Sequence, residues 1–201
     1  LPAVPAILAT NATEAVDGAS EMGFPVALKV ASPDILHKSD VGGVLLNLSD
    51  PQEVLQGYQE IITNAHNVSP EAQVLGVHVQ RMLPAGQEVI LGALQDAHFG
   101  PLVMFGSGGV EVEGLKDVGF ALAPLTPADA GYLLQSTWAG RKLDGFRHLP
   151  PADKQTVLES LYRLGQLAAD FPQLTEIEIN PLLVLPAGQG AYALDMRIKK
   201  A

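Results

Sequence analysis

Apolar residues in this chain follow two rhythms. Short, nearly continuous apolar runs alternate with longer stretches in which apolar positions recur every three or four residues. Asn11-Ala-Thr-Glu14 has the pattern of a capped helix start, and that helix should end near Gly23. Pro25 to Val30 reads as a short buried strand and Val44 to Leu48 as another. Asp50-Pro51-Gln52-Glu53 offers a cap, a first-turn proline and an acidic residue, and Val54, Leu55, Tyr58, Ile61, Ile62 and Ala65 then keep helical spacing. Val74 to Gln80 and Glu88 to Leu94 read as strands around a turn at Pro84-Ala85-Gly86, followed by a strand at Leu102 to Phe105.

The second half repeats the alternation. Thr126-Pro127-Ala128-Asp129 caps a helix. Pro151 opens a longer one with Val157, Leu158, Leu161, Leu164, Leu167 and Ala168 on one face. Between them, Gly140 to Pro150 is the least regular segment and reads as a mobile loop. Glu176 to Ile179, Leu182 to Val184, a turn through Pro186 to Gly190, and Tyr192 to Ile198 close the chain. The pattern predicts an α+β fold with an antiparallel element at its end. No internal repeat or low-complexity segment interrupts it.

Composition narrows the function classes. About half of the 201 residues are apolar, enough for one large domain or two small lobes. The net charge of −10 argues against a nucleic-acid footprint, although a local cluster of cations and backbone N–H groups can still hold a small anion. There is no cysteine, which excludes disulfides, thiolate metal sites and cysteine nucleophiles. No apolar run reaches membrane-spanning length, so a soluble cytoplasmic protein without a membrane partner is the expectation. The chain begins Leu-Pro-Ala-Val, which reads as a fragment of a longer multidomain protein.

Candidate chemistry gathers in three places. Ser32-Pro-Asp-Ile-Leu-His-Lys-Ser-Asp-Val-Gly-Gly43 presents His37 among Asp34, Lys38 and Asp40 and closes on paired glycines. Imidazole is a nucleophile at neutral pH, so such a loop suits a histidine that carries a phosphoryl group; the same pattern also suits a polar surface loop. Lys29, beside this loop, can aim an ammonium at a phosphate or snorkel to water. Gly106-Ser107-Gly108-Gly109 follows a strand, where backbone N–H groups can converge on an anion or simply form a tight turn. In Glu176-Ile-Glu-Ile-Asn180-Pro181, strand alternation puts Glu176, Glu178 and Asn180 on one face. Pairing around the Pro186–Gly190 turn brings Asn180 near Asp195, an oxygen set that suits Mg²⁺ with phosphate and water completing its shell. A solvated acidic strand face would give the same pattern.

These stretches, with Phe99-Gly-Pro-Leu-Val-Met-Phe-Gly-Ser-Gly-Gly109 and Leu115-Lys-Asp-Val118, occur in an order that resembles the ATP-grasp domain of the NDP-forming acyl-CoA synthetases, relatives of succinyl-CoA synthetase. The resemblance runs from about Ala15 to Arg197. It implies an ATP-grasp fold of two α+β lobes with a nucleotide cleft between them, lobe one covering about 23–80 and lobe two about 1–22 plus 81–201. It also implies conversion of acyl-CoA, NDP and phosphate to acid, CoA and NTP. His37 matches a relay histidine and Glu178 a glutamate that steadies phosphohistidine. Lys29 matches a phosphate contact, and Gln80, Arg81, Met82 and Leu83 match the strand that reads adenine. Asn180 and Asp195 match Mg²⁺ ligands, with ATP or ADP as substrate and CoA-binding and CoA-ligase domains as partners. Arg81 and Ala121 depart from residues common in the family and would weaken nucleotide binding. His66, His78, His98 and His148 belong to no motif. The same architecture, with degraded motifs, serves regulation in bacterial protein lysine acetyltransferases, and other ATP-grasp ligases form acyl phosphate without a relay histidine. The intact His37 and Asn180 favour the synthetase.

Overall fold

The computed structural model describes residues 2–35, 37–109 and 116–201. Leu1, Leu36 of the histidine loop and Leu115 of the Leu115–Val118 stretch lie outside the described residues. The chain divides into two compact units, Val4–Leu83 and a second made of Pro84–Ala201 with the residues up to Ala3.

The first unit runs β1 (Ala6–Ala9), α1 (Ala12–Met22), β2 (Val26–Ala31), β3 (Val44–Leu48), α2 (Pro51–Val68) and β4 (Gly76–Arg81). Its sheet has the order β1-β4-β2-β3, all antiparallel. Both helices start where their caps predict. The Asn11 side chain accepts Glu14 N–H at 3.0 Å, while Glu14 reaches past it to accept Thr10 N–H at 2.7 Å. Asp50 accepts Gln52 and Glu53 N–H at 2.8 and 2.9 Å. Val26, Leu28 and Val30 of β2 and Val77 and Val79 of β4 are buried with Ala15, Ala19, Val54, Ile61 and Ala65 of the helices. Strand alternation leaves Lys29 on the opposite face.

Residues 4–22 belong to this unit, not to the second lobe as the sequence reading had them. β1 pairs along the free edge of β4, from Ala6 opposite Gln80 to Ala9 opposite Val77, and α1 packs on α2. A four-residue strand preceded by two prolines gave no periodic signal. The turn at Pro84-Ala85-Gly86 does not close a hairpin either. β4 already has β1 and β2 on its two edges, so the next strand joins another sheet.

The second unit runs β5 (Gln87–Asp96), β6 (Gly100–Ser107), β7 (Val118–Leu122), α3 (Pro127–Ser136), α4 (Trp138–Lys142), α5 (Lys154–Asp170), β8 (Leu174–Val184), β9 (Ala191–Ala193) and β10 (Met196–Lys200). The sheet order is β10-β8-β5-β6-β7, with β9 also on β8, and every strand pairing is antiparallel among the described residues. One face carries Leu91, Ala93, Val103, Phe105, Ile177 and Ile179 into a core with Leu133, Leu134, Val157, Leu161, Leu164 and Ala168 from the helices.

Two boundaries differ from the pattern. α5 begins at Lys154, not Pro151, because Ala152 bridges to Pro186 and Asp153 is the cap. The Asp153 carboxylate accepts Thr156 N–H at 3.1 Å and Gly190 N–H at 2.9 Å, fastening the helix start to the β8–β9 turn. The segment 140–150 is structured rather than a loose loop. It holds the end of α4, and Phe146 and Leu149 exchange backbone hydrogen bonds of 3.1 and 2.9 Å. Phe146 also meets Trp138 edge-on, with 4.8 Å between ring centroids.

Candidate functional site

The loop after β2 returns to pair with the strand it left. Val30 N–H donates to Gly43 O at 2.7 Å, and Gly43 N–H donates to Lys38 O at 2.8 Å. Ile35 and Val41 are buried in the first core and pin both flanks of the loop. The Ser32 hydroxyl accepts Asp34 N–H at 3.1 Å, and the Asp34 carboxylate accepts Gln73 N–H at 2.7 Å. His37 sits exposed between these anchors. The Asp34 carboxylate, one of the two acidic groups of the loop, is engaged by Gln73 N–H through its Oδ2. Gly42 has φ of +61°, a conformation that favours glycine. At Gly43 a Cβ would lie 2.6 Å from Val30 Cγ1.

Lys29 lies within β2, opposite His78 of β4 and Val44 of β3. His78 and Gln80 share its face, so the open side of the first sheet carries a row of polar side chains. His78 belonged to no motif, and strand alternation alone could have placed it here. Arg81 is exposed at the end of β4 and Leu83 is half-buried beyond it. Met82 N–H donates to Pro25 O at 3.2 Å and is committed to the sheet.

The glycine stretch differs from the phosphate cradle anticipated. Gly106 and Ser107 are still in β6, paired with Ile90 and Val89. Ser107 N–H goes to Asp117 O at 3.0 Å and Gly108 N–H to Glu88 O at 3.2 Å. Gly109 N–H goes to Asn180 Oδ1 at 3.1 Å. These donors are held by protein acceptors. Small residues are needed because backbone passes close by: a Cβ on Gly106 would collide with Asp117 O, and one on Gly108 would lie 2.5 Å from Val89 O.

β8 carries the acidic motif as a single strand through Pro181. Ile177 and Ile179 face the core, and Glu176, Glu178 and Asn180 are half-buried on the other side. Opposite them on β10, Arg197 pairs with Glu178 and Lys199 with Glu176. Arg197 donates to Glu176 Oε1 at 2.5 Å and to Glu178 Oε2 at 2.8 Å, and Lys199 donates to Glu176 Oε2 at 2.6 Å. The Lys199 hydrogen bond and the two positive charges hold the Glu176 carboxyl below its ordinary range, against a smaller desolvation effect. Asn180 N–H donates to Asp195 O at 3.1 Å, so the two residues adjoin as the turn predicted.

Sequence reasoning gave no role to Asp117. Its carboxylate accepts Trp138 N–H at 2.7 Å, Ala139 N–H at 2.8 Å and the buried Ser107 hydroxyl at 2.8 Å. It ties the end of β6 to the start of α4. Burial works to raise its pKa, but these donors and the charge of Arg141 outweigh it and the pKa is lowered. Ala121, one of the two departures from the family pattern, packs against the second core and so lies on the sheet face opposite Glu178.

A family model described as the ATP-grasp domain matches residues 1–199. The chain belongs to this ATP-grasp family. It is 41% identical over 191 residues to the beta subunit of an ADP-forming acetate–CoA ligase I of Pyrococcus furiosus, covering 95% of this chain and 82% of that subunit. Among solved structures it is similar to a "dinucleotide forming Acetyl-coenzyme A synthetase 1" of Ca. Korarchaeum cryptofilum in complex with coenzyme A and Ca-AMPCP. That match has a TM-score of 0.91 and 41% identity over 100% of this chain and 86% of the other. The same synthetase with coenzyme A and Mg-AMPPCP, its "phosphohistidine segment pointing towards nucleotide binding site", matches with a TM-score of 0.79 and 39% identity over 100% of this chain and 85% of that one. Against two longer relatives the ATP-grasp domain spans 28% and 26% of their length.

For this ATP-grasp domain the donor set at the hairpin fits a hard divalent cation. An asparagine carboxamide and an aspartate, on segments joined by a backbone hydrogen bond, offer oxygen ligands of the kind Mg²⁺ takes. Among the described residues no group of three or more His, Asp or Glu forms a self-sufficient metal cage, so phosphate and water would complete the shell. Among them also, no helix is long and apolar enough to cross a membrane.

Proposed function

We propose that this chain is the nucleotide-binding, phosphoryl-transferring part of an ADP-forming acyl-CoA synthetase that turns acyl-CoA, ADP and phosphate into acid, CoA and ATP. His37 is its phosphoryl carrier. One ring nitrogen attacks the phosphorus presented by a CoA-ligase partner, whose histidine leaves. A terminal oxygen of ADP then attacks the same phosphorus and the His37 imidazole leaves. The observation that carries this reading is the exposure of His37 at the tip of a loop whose flanks, Ile35 and Val41, are buried. A shuttle needs a reachable nucleophile on an anchored base.

Lys29 neutralises nucleotide phosphate, and Gln80 to Leu83 contact the base. Asn180 and Asp195 would hold Mg²⁺, which when bound would neutralise phosphate charge. Glu178 accepts a hydrogen bond from the phosphohistidine ring. With most strand-end N–H groups at 106–109 already taken, Lys29 and the cation carry the larger share of charge neutralisation. The partners are CoA-binding and CoA-ligase domains, and the compartment is the cytoplasm. ADP-forming CoA ligases among the relatives support a synthetase over a regulatory acetyltransferase module.

The test is labelling with γ-³²P-ATP and Mg²⁺. The chain should gain acid-labile, base-stable phosphate, and His37→Ala should abolish it while nucleotide affinity by isothermal titration stays unchanged. Label retained in His37→Ala, or no label on the wild-type chain, would refute the relay and leave an acyl-phosphate ligase as the better reading.

A further inference from the structure

An asparagine can offer an oxygen to a cation only if its carboxamide is turned the right way. Half a turn about its last torsion exchanges the acceptor for two donors. At Asn180 two contacts fix the choice, and a third holds the carboxylate that makes one of them. Nδ2 donates to Glu178 Oε1 at 3.3 Å. Oδ1 accepts Gly109 N–H at 3.1 Å and retains a second lone pair. Glu178 is in turn fixed from its other oxygen, since Oε2 accepts from Arg197 at 2.8 Å. The same terminal nitrogen of Arg197 reaches Glu176 Oε1 at 2.5 Å, so one nitrogen bridges both carboxylates. Arg197 Nε is buried with no partner. The guanidinium is seated to serve the two glutamates at the expense of its own complete hydrogen bonding.

We infer that Arg197 is a positioning residue for the cation site: through Glu178 it holds the Asn180 carboxamide with Oδ1, not Nδ2, presented to the metal. This rests on the reading of Asn180 and Asp195 as the cation ligands. It gives Glu178 a task between transfers, when no phosphohistidine is near it. It also distinguishes Arg197 from Lys199, whose ammonium donates to Glu176, whereas the carboxylate that holds Asn180 is Glu178. A cross-strand ion pair with only a structural role would stabilise the hairpin and leave metal affinity alone.

Mn²⁺ is the probe, titrated with the full chain in saturating ADP and followed by electron paramagnetic resonance of the free ion. Arg197→Met should weaken Mn²⁺ binding about tenfold, the usual effect of losing a partner that orients a metal ligand. ADP affinity measured in EDTA should not move. Arg197→Lys should restore Mn²⁺ binding, because a single terminal nitrogen makes both bonds and an ammonium can replace it. Lys199→Met should leave Mn²⁺ binding unaltered. Asn180→Ala is the reference for the site itself. If it loses Mn²⁺ affinity while Arg197→Met does not, the positioning role is wrong and the cation site stands. If Asn180→Ala binds Mn²⁺ like the wild type, the cation reading falls and the inference with it. Should Arg197→Met fail to fold, the wild-type side-chain amide spectrum decides. One Asn180 amide proton, held on a carboxylate, must exchange with water more slowly than the other, and equal exchange of the two overturns the proposal.

Discussion

Replacing Asp117 tests how the second unit is held together. Its carboxylate serves three donors: Trp138 N–H on Oδ1, and Ala139 N–H with the Ser107 hydroxyl on Oδ2. Asp117→Ala removes a cap from the first two N–H groups of α4, worth about 0.5–2 kcal/mol. It also leaves the hydroxyl of fully buried Ser107 without its acceptor, at about 1–3 kcal/mol. The expected loss is about 3 kcal/mol. Asp117→Asn keeps the Oδ1 bond and can donate to the rotated Ser107 hydroxyl, but its NH₂ meets Ala139 N–H donor to donor. About 1–2 kcal/mol is expected. The assay is urea unfolding followed by the fluorescence of Trp138, the only tryptophan, which adjoins the perturbed bond and reports the second unit directly. A loss below 1 kcal/mol for the alanine variant, or equal losses for the two, would refute this account of the linkage.

Other outcomes follow from the same geometry. Asp117 and Asp153 have folded pKa values lowered below the ordinary 3.8, so their contribution is full above the unfolded value and is lost as pH falls through the folded one. Stability should be level above about pH 5 and fall below about pH 4, and the double asparagine variant should flatten that fall. Gly43→Ala places a Cβ 2.6 Å from Val30 Cγ1 and 2.8 Å from Lys38 O, and backbone gives little. It should cost the first unit about 1–3 kcal/mol, read by amide exchange at β2 and β3. Lys29→Met should weaken ADP binding about tenfold or more in isothermal titration, the loss expected for a charged hydrogen bond to phosphate. Unchanged affinity would remove Lys29 from the site.

The residues most easily read from the chain were those whose role depends on near neighbours. Caps at Asn11, Asp50 and Thr126 act within one helical turn, and alternation in Glu176–Asn180 needs no knowledge of the sheet's other members. The approach of Asn180 to Asp195 was readable because a short turn fixed the pairing. What stayed hidden depended on distant partners. Gly106–Gly109 reads as a loop until β5 and β7 are seen on either side of its first half. Asp117 gains meaning only when α4 arrives above it. Arg197 shows nothing in isolation, because the register that sets it against Glu178 is a property of two strands. β1 was missed because four residues are too few to establish a period, and its place is decided by the edge of β4.

β8 does two jobs with one stretch of backbone: its odd-numbered isoleucines, Ile177 and Ile179, seal the interior while Glu176, Glu178 and Asn180 face outward. The period of two makes these jobs mutually exclusive under any slip. A shift by one residue would drive carboxylates against Leu91 and Phe105 and expel the isoleucines. Chains in the wrong alignment are therefore removed by the cost of buried charge before they can persist as folded, inactive protein. The hairpin proofreads its own assembly, and insertions or deletions should survive at the Pro186–Gly190 tip far more often than anywhere between Thr175 and Asn180.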